Sequence, residues 1–441
     1  MKRFKNTALL ICDALIVLLN LSLSNTILPF LFIANSVGFN STIAIFVTLL
    51  YSFIRFGYHI KIPVHPLFIL FTIINCTCIL VGFLTDTMLI GYVPLQLACI
   101  LFYIFLFNLY LHYHKRYDIF ASLKRLFAGY GAICLYSVGG TVLLWLLFSL
   151  TSIEPSVNAL SDDIVLLTDN TRSGENHYYF PYGLAVMQVN DYMVRVPFIQ
   201  RYGWIVGLFH EPQAMALFVT PFLFFILSKI YVISNKVKFC YFLAYLFVCV
   251  QMASVTNLLL MPALLIVLLI FKNKKYSWVL LPIAAALLIV IIISFSSLDN
   301  DLVNWMMRKL ENQDGSLEYS QTTLAFAFTP KTFLGSAFYD MADIGREGST
   351  RDVGFVMFLI NLALVFTLAI QMVRLFRSKN ENIVLIGFGL LYFFLHSLKQ
   401  SMKIFTLTEF AFFIFILSIC YNYERSVVRK KNKSVPEVPA Q

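Results

Sequence analysis

Residues 279–295 read VLLPIAAALLIVIIISF, a stretch without a single charged side chain. Lipid offers no hydrogen bonds to backbone amides, so a segment that crosses a bilayer is a helix of about 20 mostly apolar residues. A second stretch, Ile404–Cys420, is nearly as apolar and contains one acidic residue, Glu409. Both stretches predict transmembrane helices.

The composition extends this prediction to the whole chain. Of its 441 residues, 59% are hydrophobic and only 13% are charged, and the mean hydropathy is +0.79. A soluble domain is about half apolar and a quarter charged. The first apolar run, Thr7–Ser24, is not followed by a small-residue cleavage site, so we expect a retained span rather than a signal peptide.

Apolar segments of spanning length divide the chain into predicted spans at 7–24, 42–58, 66–84, 91–111, 127–150, 212–228, 239–254, 257–271, 276–295, 354–373, 383–398 and 404–422. The predicted fold is all-α, a single integral membrane domain over residues 1–441. It has about twelve transmembrane helices and two large loops on the side away from the cytoplasm, at 151–211 and 296–354. The spans at 239–254 and 257–271 are expected to form a hairpin turning near 254–257, because lysines flank the pair on both sides.

The net charge of +10 does not indicate a nucleic-acid partner, because the basic residues cluster at the ends of the apolar segments. With both termini in the cytoplasm, most Lys and Arg residues fall on the cytoplasmic side, the positive-inside distribution of an inner-membrane protein. The basic tail Arg425–Lys433 is then a solvated cytoplasmic end. Asp13 and Glu409 fall inside spans, where charge is costly, so both are expected to face the bundle interior.

All eight cysteines lie in apolar segments, which argues against a disulfide framework or a zinc site. The sequence also lacks a Walker loop, a dinucleotide-binding glycine pattern, a zinc-protease helix and a nucleophile elbow. Asp299 and Asp301 have the spacing of a nucleotide-sugar metal motif, but we interpret them as a turn. The expectation is therefore a protein with no metal and no cofactor.

The two long loops are the candidates for function, because ordinary loops are shorter than about 15 residues. They contain aromatic and apolar stretches such as His177–Tyr182 and Tyr192–Phe198, which favour burial over disorder. We expect short amphipathic helices on the membrane surface there. Aromatic residues of the first loop are candidates for stacking on sugars, with interfacial anchoring as the alternative: Tyr178, Tyr179, Tyr182, Tyr202 and Trp204.

The most informative segment is Arg201–Pro212, which reads RYGWIVGLFHEP. Proline suits the first turn of a helix and disfavours helical geometry in the residue before it, which puts Glu211 just before a span. The helix dipole and free N–H groups favour an anion at this point, and Arg195 and Arg201 lie upstream. The alternative is that His210 and Glu211 only cap the helix and pair with Arg201.

Two further groups of charged residues lie on the same side of the predicted layout. One has the i, i+3, i+7 spacing of a single helical face: His396, Lys399 and Lys403. Snorkelling of these side chains to the membrane interface is the alternative. The other group stands at the start of the tenth span, where a solvated Arg–Asp pair is the alternative: Arg346, Arg351 and Asp352.

The segment Arg201–Pro212 resembles the Arg-x-x-Gly-x-x-x-Glu-Pro signature of the Wzy family, the bacterial O-antigen and capsular polysaccharide polymerases. The matching positions are Arg201, Gly203 or Gly207, Glu211 and Pro212. The second loop ends with segments that resemble the family's glycine turn and Asp-x-Gly pattern: Phe333–Phe338 and Ser349–Phe355. The segment His396–Lys399 is similar to the family's His-and-Lys outer turn.

This resemblance implies a GT-C-like architecture with two large periplasmic loops, and polymerisation of undecaprenyl-pyrophosphate-linked oligosaccharide repeat units at the periplasmic face. Glycosyl transfer needs a base for the acceptor hydroxyl, and Glu211 is the candidate, with His210 as its substitute. The candidate pyrophosphate clamp consists of cations from both loops and the last outer turn: Arg195, Arg201, Arg346, Arg351, Lys399 and Lys403. His396 and Asp352 are further candidates. The implied partners are the lipid-linked substrate, membrane lipid and a chain-length regulator protein.

Two alternatives stay open. An O-antigen ligase shares the topology and a large outer loop, but transfers finished polymer to the lipid A-core. A repeat-unit flippase or other transporter would place charged residues along a central path and would show repeated halves. In this sequence the ionic residues gather in the two loops and no repeat is visible, which favours the polymerase.

Overall fold

The computed structural model describes residues 2–26, 37–84, 93–151, 177–179, 183–188, 203–209, 212–252, 254–272, 350–398 and 408–433. The predicted span at 276–295 and nearly all of the second predicted loop, 296–354, lie outside these residues. The structure is predominantly helical. Its described helices are α1 (Lys2–Asn25), α2 (Val37–Phe56), α3 (Pro66–Leu84), α4 (Val93–His114), α5 (Ile119–Leu126), α6 (Ala128–Leu150), α7 (Pro212–Leu227), α8 (Asn235–Met252), α9 (Val255–Lys272), α10 (Thr350–Phe376), α11 (Glu381–Leu398) and α12 (Thr408–Lys433).

Every predicted span except 276–295 overlaps one of these helices, with ends shifted by up to five residues, apart from α12, which continues eleven residues beyond the predicted end at 422. Four described helices are long and apolar enough to cross a membrane, namely α1, α2, α4 and α6. Shorter apolar helices occur within α3, α7, α10 and α11. Long apolar runs therefore form helices here, as the sequence predicts.

Helix α5 was not predicted, because it is short and amphipathic rather than apolar. The Asp118 side chain caps it by accepting the backbone N–H of Ala121 at 2.6 Å. One face, including Leu123 and Leu126, is buried, and Lys124 is exposed. The sequence signal was present: an N-cap aspartate before a short apolar run, and two basic residues in the last turn.

The described long helices run up and down the bundle, which therefore has two distinct ends, called here the sheet end and the basic end. Successive helices alternate in direction except α9 and α10, between which residues 273–349 lie outside the described part of the chain. At the sheet end, Thr26 after α1 forms a β-bridge with Phe209 before α7. At the basic end, the Lys229 N–H donates to Asn382 at 2.8 Å and Ser378 donates to Glu424 at 2.6 Å. Among the described residues, every Lys and Arg except Arg351 lies towards the basic end of its helix or in a connection there.

The pair α8 and α9 forms the predicted hairpin. The Tyr245 hydroxyl donates to the Asn257 side chain at 3.3 Å, and the Asn257 amide donates to the Cys249 sulfur at 3.3 Å. Residues twelve positions apart on one straight helix are separated by about 18 Å. The chain must therefore reverse direction between Met252 and Val255, which confirms the hairpin.

Helices α7 and α11 pack closely at Gly389. A methyl group on Gly389 would lie 2.8 Å from the Phe225 ring and 2.9 Å from the Pro221 carbonyl oxygen. Only glycine permits this approach, which brings two antiparallel helix backbones together in the centre of the bundle. Helix α7 is buried over most of its length, from Pro212 to Ile226.

The described part of the first loop forms strands, which corrects the expectation of surface helices. The antiparallel sheet has the order β1 (His177–Tyr179), β2 (Ala185–Gln188) and β3 (Trp204–Gly207). Tyr178 faces Met187 in the first ladder, and Val186 faces Ile205 in the second. All of β3 is buried, because its side chains pack against α6 and α8. A buried strand covers the apolar side chains of β3 more completely than a helix on the membrane surface would.

Asp13 and Glu409 both face the bundle interior, as predicted, and each is only 1% exposed. Asp13 pairs with Arg55 at 3.2 Å and accepts a hydrogen bond from Tyr51 at 2.6 Å. The Tyr113 hydroxyl donates to its second oxygen. A buried charge is tolerable only with such partners.

Candidate functional site

The segment that leads to Glu211 is anchored first at Gly203. The Gln251 side chain, near the end of α8, donates to the Gly203 carbonyl oxygen at 2.8 Å. Gly203 has φ +103°, a conformation that residues with a side chain rarely adopt. The glycine therefore allows the backbone to turn into β3 while its carbonyl reaches Gln251.

The second anchor is Gly207, at the end of β3. Its φ is +64°, and a methyl group there would lie 2.8 Å from the Ser137 Cβ atom on α6. Both the backbone conformation and the close approach require glycine. The two glycines that were alternative matches to the family signature thus have separate structural roles, and the structure uses both.

The third anchor is Phe209. Its backbone pairs with Thr26, and its fully buried ring packs on Phe218 of α7 with ring centroids 5.3 Å apart. Pro212 begins α7 and is buried, which confirms the predicted position of the helix start. Two firmly held segments therefore flank His210 and Glu211, which lie outside the described residues.

His396 lies at the same end of the bundle, near the C-terminus of α11. Gly389 of α11 contacts Pro221 of α7. His396 follows Gly389 by seven residues, which places it about 10 Å further along α11 towards the sheet end. Pro212 precedes Pro221 by nine residues, which places the start of α7 about 14 Å from Pro221, also towards the sheet end. His396 thus approaches the level of the first turn of α7. It is fully buried, which contradicts snorkelling of this side chain to the interface.

Glu409 occupies the first turn of α12, beside the end of α11. The Phe410 ring lies 5.9 Å from Phe393 and 5.5 Å from Phe394, measured between centroids. A buried histidine and a buried carboxylate therefore belong to the same corner of the sheet end. The sequence marked both residues, but their proximity depends on how α11 and α12 pack.

A neutral polar cluster lies one turn below His396 and joins four helices. It consists of Asn257, Thr220, Tyr245 and Tyr392, all fully buried. Tyr392 donates to the Asn257 side-chain oxygen at 2.7 Å and Thr220 donates to it at 3.0 Å. The Tyr245 and Thr220 hydroxyls are 2.6 Å apart. We call this group the Asn257 cluster.

The Asn257 cluster was not predicted. Its only sequence signal is the presence of polar residues inside apolar helices, which does not reveal their partners. In a low-dielectric interior, satisfied hydrogen bonds of this kind specify one arrangement of the helices. The cluster fixes α7, α8, α9 and α11 beneath the sheet end, and so holds the base of the candidate site.

Most of the predicted site residues lie outside the described residues: Arg195, Arg201, His210, Glu211, Arg346, Lys399 and Lys403. Arg351 and Asp352 lie in the first turn of α10. The sequence had predicted them at the start of the tenth span, which was expected to begin at residue 354. Trp204 is buried in β3 and only 4% exposed, so the expectation of a sugar-stacking surface at this residue is wrong. Among the described residues, no three His, Cys, Asp or Glu side chains converge as a metal site.

Comparison with protein-family models, with curated proteins and with solved structures finds no match.

Proposed function

We propose that the chain is a metal-independent glycosyltransferase that polymerises undecaprenyl-pyrophosphate-linked oligosaccharide repeat units. The observation that carries this proposal is the anchoring of Gly203, Gly207 and Phe209 directly before the Glu-Pro pair. A segment held this firmly at a helix N-terminus suits a preorganised catalytic group. The buried His396 at the same end supports the same location.

The proposal includes a topology of about twelve spans in the bacterial inner membrane, with a GT-C-like architecture and both termini in the cytoplasm. The charge distribution supports it, because basic residues favour the cytoplasmic side of a membrane and the described basic residues, apart from Arg351, gather towards one end. The sheet end then faces the periplasm. That face is where the lipid-linked repeat units would be joined.

The chemistry requires a base, a leaving-group clamp and access to a lipid tail. In the proposed reaction Glu211 accepts the proton of an acceptor sugar hydroxyl, whose oxygen attacks the anomeric carbon of the donor. The bond from that carbon to the pyrophosphate oxygen breaks, and undecaprenyl pyrophosphate leaves. The departing charge is balanced by Arg and Lys side chains, which bind phosphate without a metal: Arg195, Arg201, Arg346, Arg351, Lys399 and Lys403.

The test is a deletion strain complemented with wild-type chain, Glu211→Gln or Arg201→Ala, with the polysaccharide ladder read on a gel. Both variants are expected to leave one repeat unit per lipid core at normal membrane levels of protein. The matched control is Glu381→Gln, an exposed carboxylate in the first turn of α11 at the basic end. A full ladder with Glu211→Gln would show that Glu211 is not the base.

The same strain separates the polymerase from the ligase. Loss of a polymerase leaves a single unit on the core, whereas loss of a ligase leaves no sugar there. A deletion strain with a bare core would therefore overturn polymerisation in favour of ligation.

A further inference from the structure

A cavity of about 580 Å³ opens at the basic end, opposite the candidate site. Its walls come from α1, from α5 and its N-cap, from the start of α6 and from the turn after α7. That turn is held in place, because the Lys229 backbone N–H donates to the Asn382 side chain and the Tyr231 hydroxyl donates to the Phe127 carbonyl at 2.9 Å. The cavity is therefore part of the folded bundle and does not depend on a single side chain.

The cavity carries a net positive charge. Three cations line it, namely Lys124 and Arg125 from α5 and Lys229 from the turn. The one carboxylate in the lining, Asp118, already accepts the Ala121 N–H as a helix cap. In the part of the chain that the structure describes, the only salt bridge joins Asp13 to Arg55. None of the three cavity cations thus forms a salt bridge with a described carboxylate, and because three cations face a single carboxylate, the lining suits an anion.

Arg125 is held in position by aromatic rings. Its guanidinium carbon lies 4.0 Å from the centroid of the Tyr117 ring and 5.7 Å from that of Tyr113. Cation–π contacts of this kind restrict a long side chain without consuming its hydrogen-bond donors. Arg125 therefore keeps its N–H groups for a ligand with phosphate geometry.

The rest of the lining is apolar and lies at the level where membrane-length helices begin. Leu10 belongs to the first turns of the apolar part of α1, and Ala128 is the first residue of α6. Phe120, Ile230 and Val232 complete this surface. An anionic group next to apolar surface at a helix end is the chemistry of a phospholipid, with its phosphate at the interface and its acyl chains along the helices.

We propose that this cavity binds the phosphate of an anionic phospholipid from the leaflet at the basic end. Lys124, Arg125 and Lys229 contact the phosphate, and Leu10, Phe120 and Val232 contact the glycerol and the upper acyl chains. The site is independent of the proposed glycosyl transfer, since it requires only that the apolar helices lie in a bilayer. A free phosphate ion offers the same charge but would not use the apolar wall.

The test is native mass spectrometry of the purified full chain in detergent, titrated with phosphatidylglycerol, phosphatidylcholine or inorganic phosphate. We expect phosphatidylglycerol adducts to persist and phosphatidylcholine adducts to be weaker. The variant Lys124→Gln with Lys229→Gln should weaken phosphatidylglycerol binding by about tenfold or more, because each basic residue near a headgroup contributes to binding. Both lysines are exposed, so the fold should be retained.

The matched control replaces two lysines at the start of α8, at the same end but outside the cavity: Lys236→Gln with Lys238→Gln. Equal loss in both double variants would mean a general surface-charge effect and would overturn the site. Equal adducts with phosphatidylcholine would overturn the selectivity for an anionic headgroup. Displacement of phosphatidylglycerol by inorganic phosphate at similar concentration would assign the cavity to a free anion and overturn the lipid assignment.

Discussion

The side-chain amide of Gln251 donates to the backbone carbonyl of Gly203 at 2.8 Å, deep inside the bundle. This hydrogen bond connects the last turn of α8 to the residue before β3, across 48 positions of sequence. Gln251 is therefore a positioning residue for the segment that carries the Glu-Pro pair. Its position far from the sequence motif means that no motif search would select it.

Replacement of Gln251 by Leu should impair chain growth while the protein still inserts. The variant loses one hydrogen bond and leaves a buried carbonyl unsatisfied, which costs about 1–3 kcal/mol. The polysaccharide ladder should shorten or disappear at near-normal membrane levels. Gln371→Leu, a buried glutamine on α10 away from the sheet end, is the matched control. A normal ladder with Gln251→Leu would show that this contact does not position the site.

Replacement of Gly207 by Ala should destabilise the sheet end. A left-handed backbone conformation costs an alanine roughly 1–2 kcal/mol, and its methyl group would overlap the Ser137 Cβ atom at 2.8 Å. The melting temperature in detergent should fall, and the ladder should be lost. Gly139→Ala is the control, because nothing lies within 4 Å of a methyl group there. Comparable melting of both variants would contradict the role assigned to Gly207.

Within the Asn257 cluster, Asn257→Leu should destabilise the protein more than Tyr392→Phe. The asparagine oxygen lies within hydrogen-bonding distance of the hydroxyls of Thr220, Tyr245 and Tyr392, so its removal affects all three groups at once. Tyr392→Phe removes a single hydrogen bond, worth about 1 kcal/mol, and leaves the Thr220 and Tyr245 hydroxyls beside the acceptor. Thermal unfolding in detergent measures the order, and the reverse order would contradict the shared-acceptor arrangement.

His65, next to the start of α3, should make stability depend on pH. Burial lowers the pKa of His65 from its ordinary 6.5 to about 4. Its Nδ1 atom accepts the Leu67 N–H at 3.3 Å, so protonation would place two N–H groups against each other. Between pH 6.5 and about pH 4, His65 binds a proton more readily in the unfolded chain than in the folded protein. The stabilising contribution is complete above about pH 6.5 and is lost as the pH falls towards 4.

The measurement is the melting temperature in detergent between pH 7 and pH 4.5, compared with His65→Asn. Acidification should lower the melting temperature of the wild type more steeply than that of the variant, whose amide does not titrate. Carboxylates elsewhere contribute equally to both curves. Parallel curves would show that His65 is not the source of the difference.

The sequence by itself determined where the long apolar helices lie. Apolar runs of spanning length can satisfy their backbone only as helices, and the described helices follow the predicted segments. The lysines that flank the pair α8 and α9 on both sides also predicted the hairpin of these two helices. Proline fixed the start of α7 at Pro212, since its ring and missing N–H are compatible with the first turn of a helix.

Only the tertiary structure decided how the described part of the first loop folds and what Gly203 and Gly207 do. Short strands such as β3 depend on partners that are distant in sequence, so a local pattern of aromatic residues was mistaken for surface helices. The proximity of His396 to the start of α7 follows from packing at Gly389 and Pro221. Hydrogen bonds such as those of Asn257 and Gln251 join separate helices, and single-sequence patterns carry no information about which helices meet.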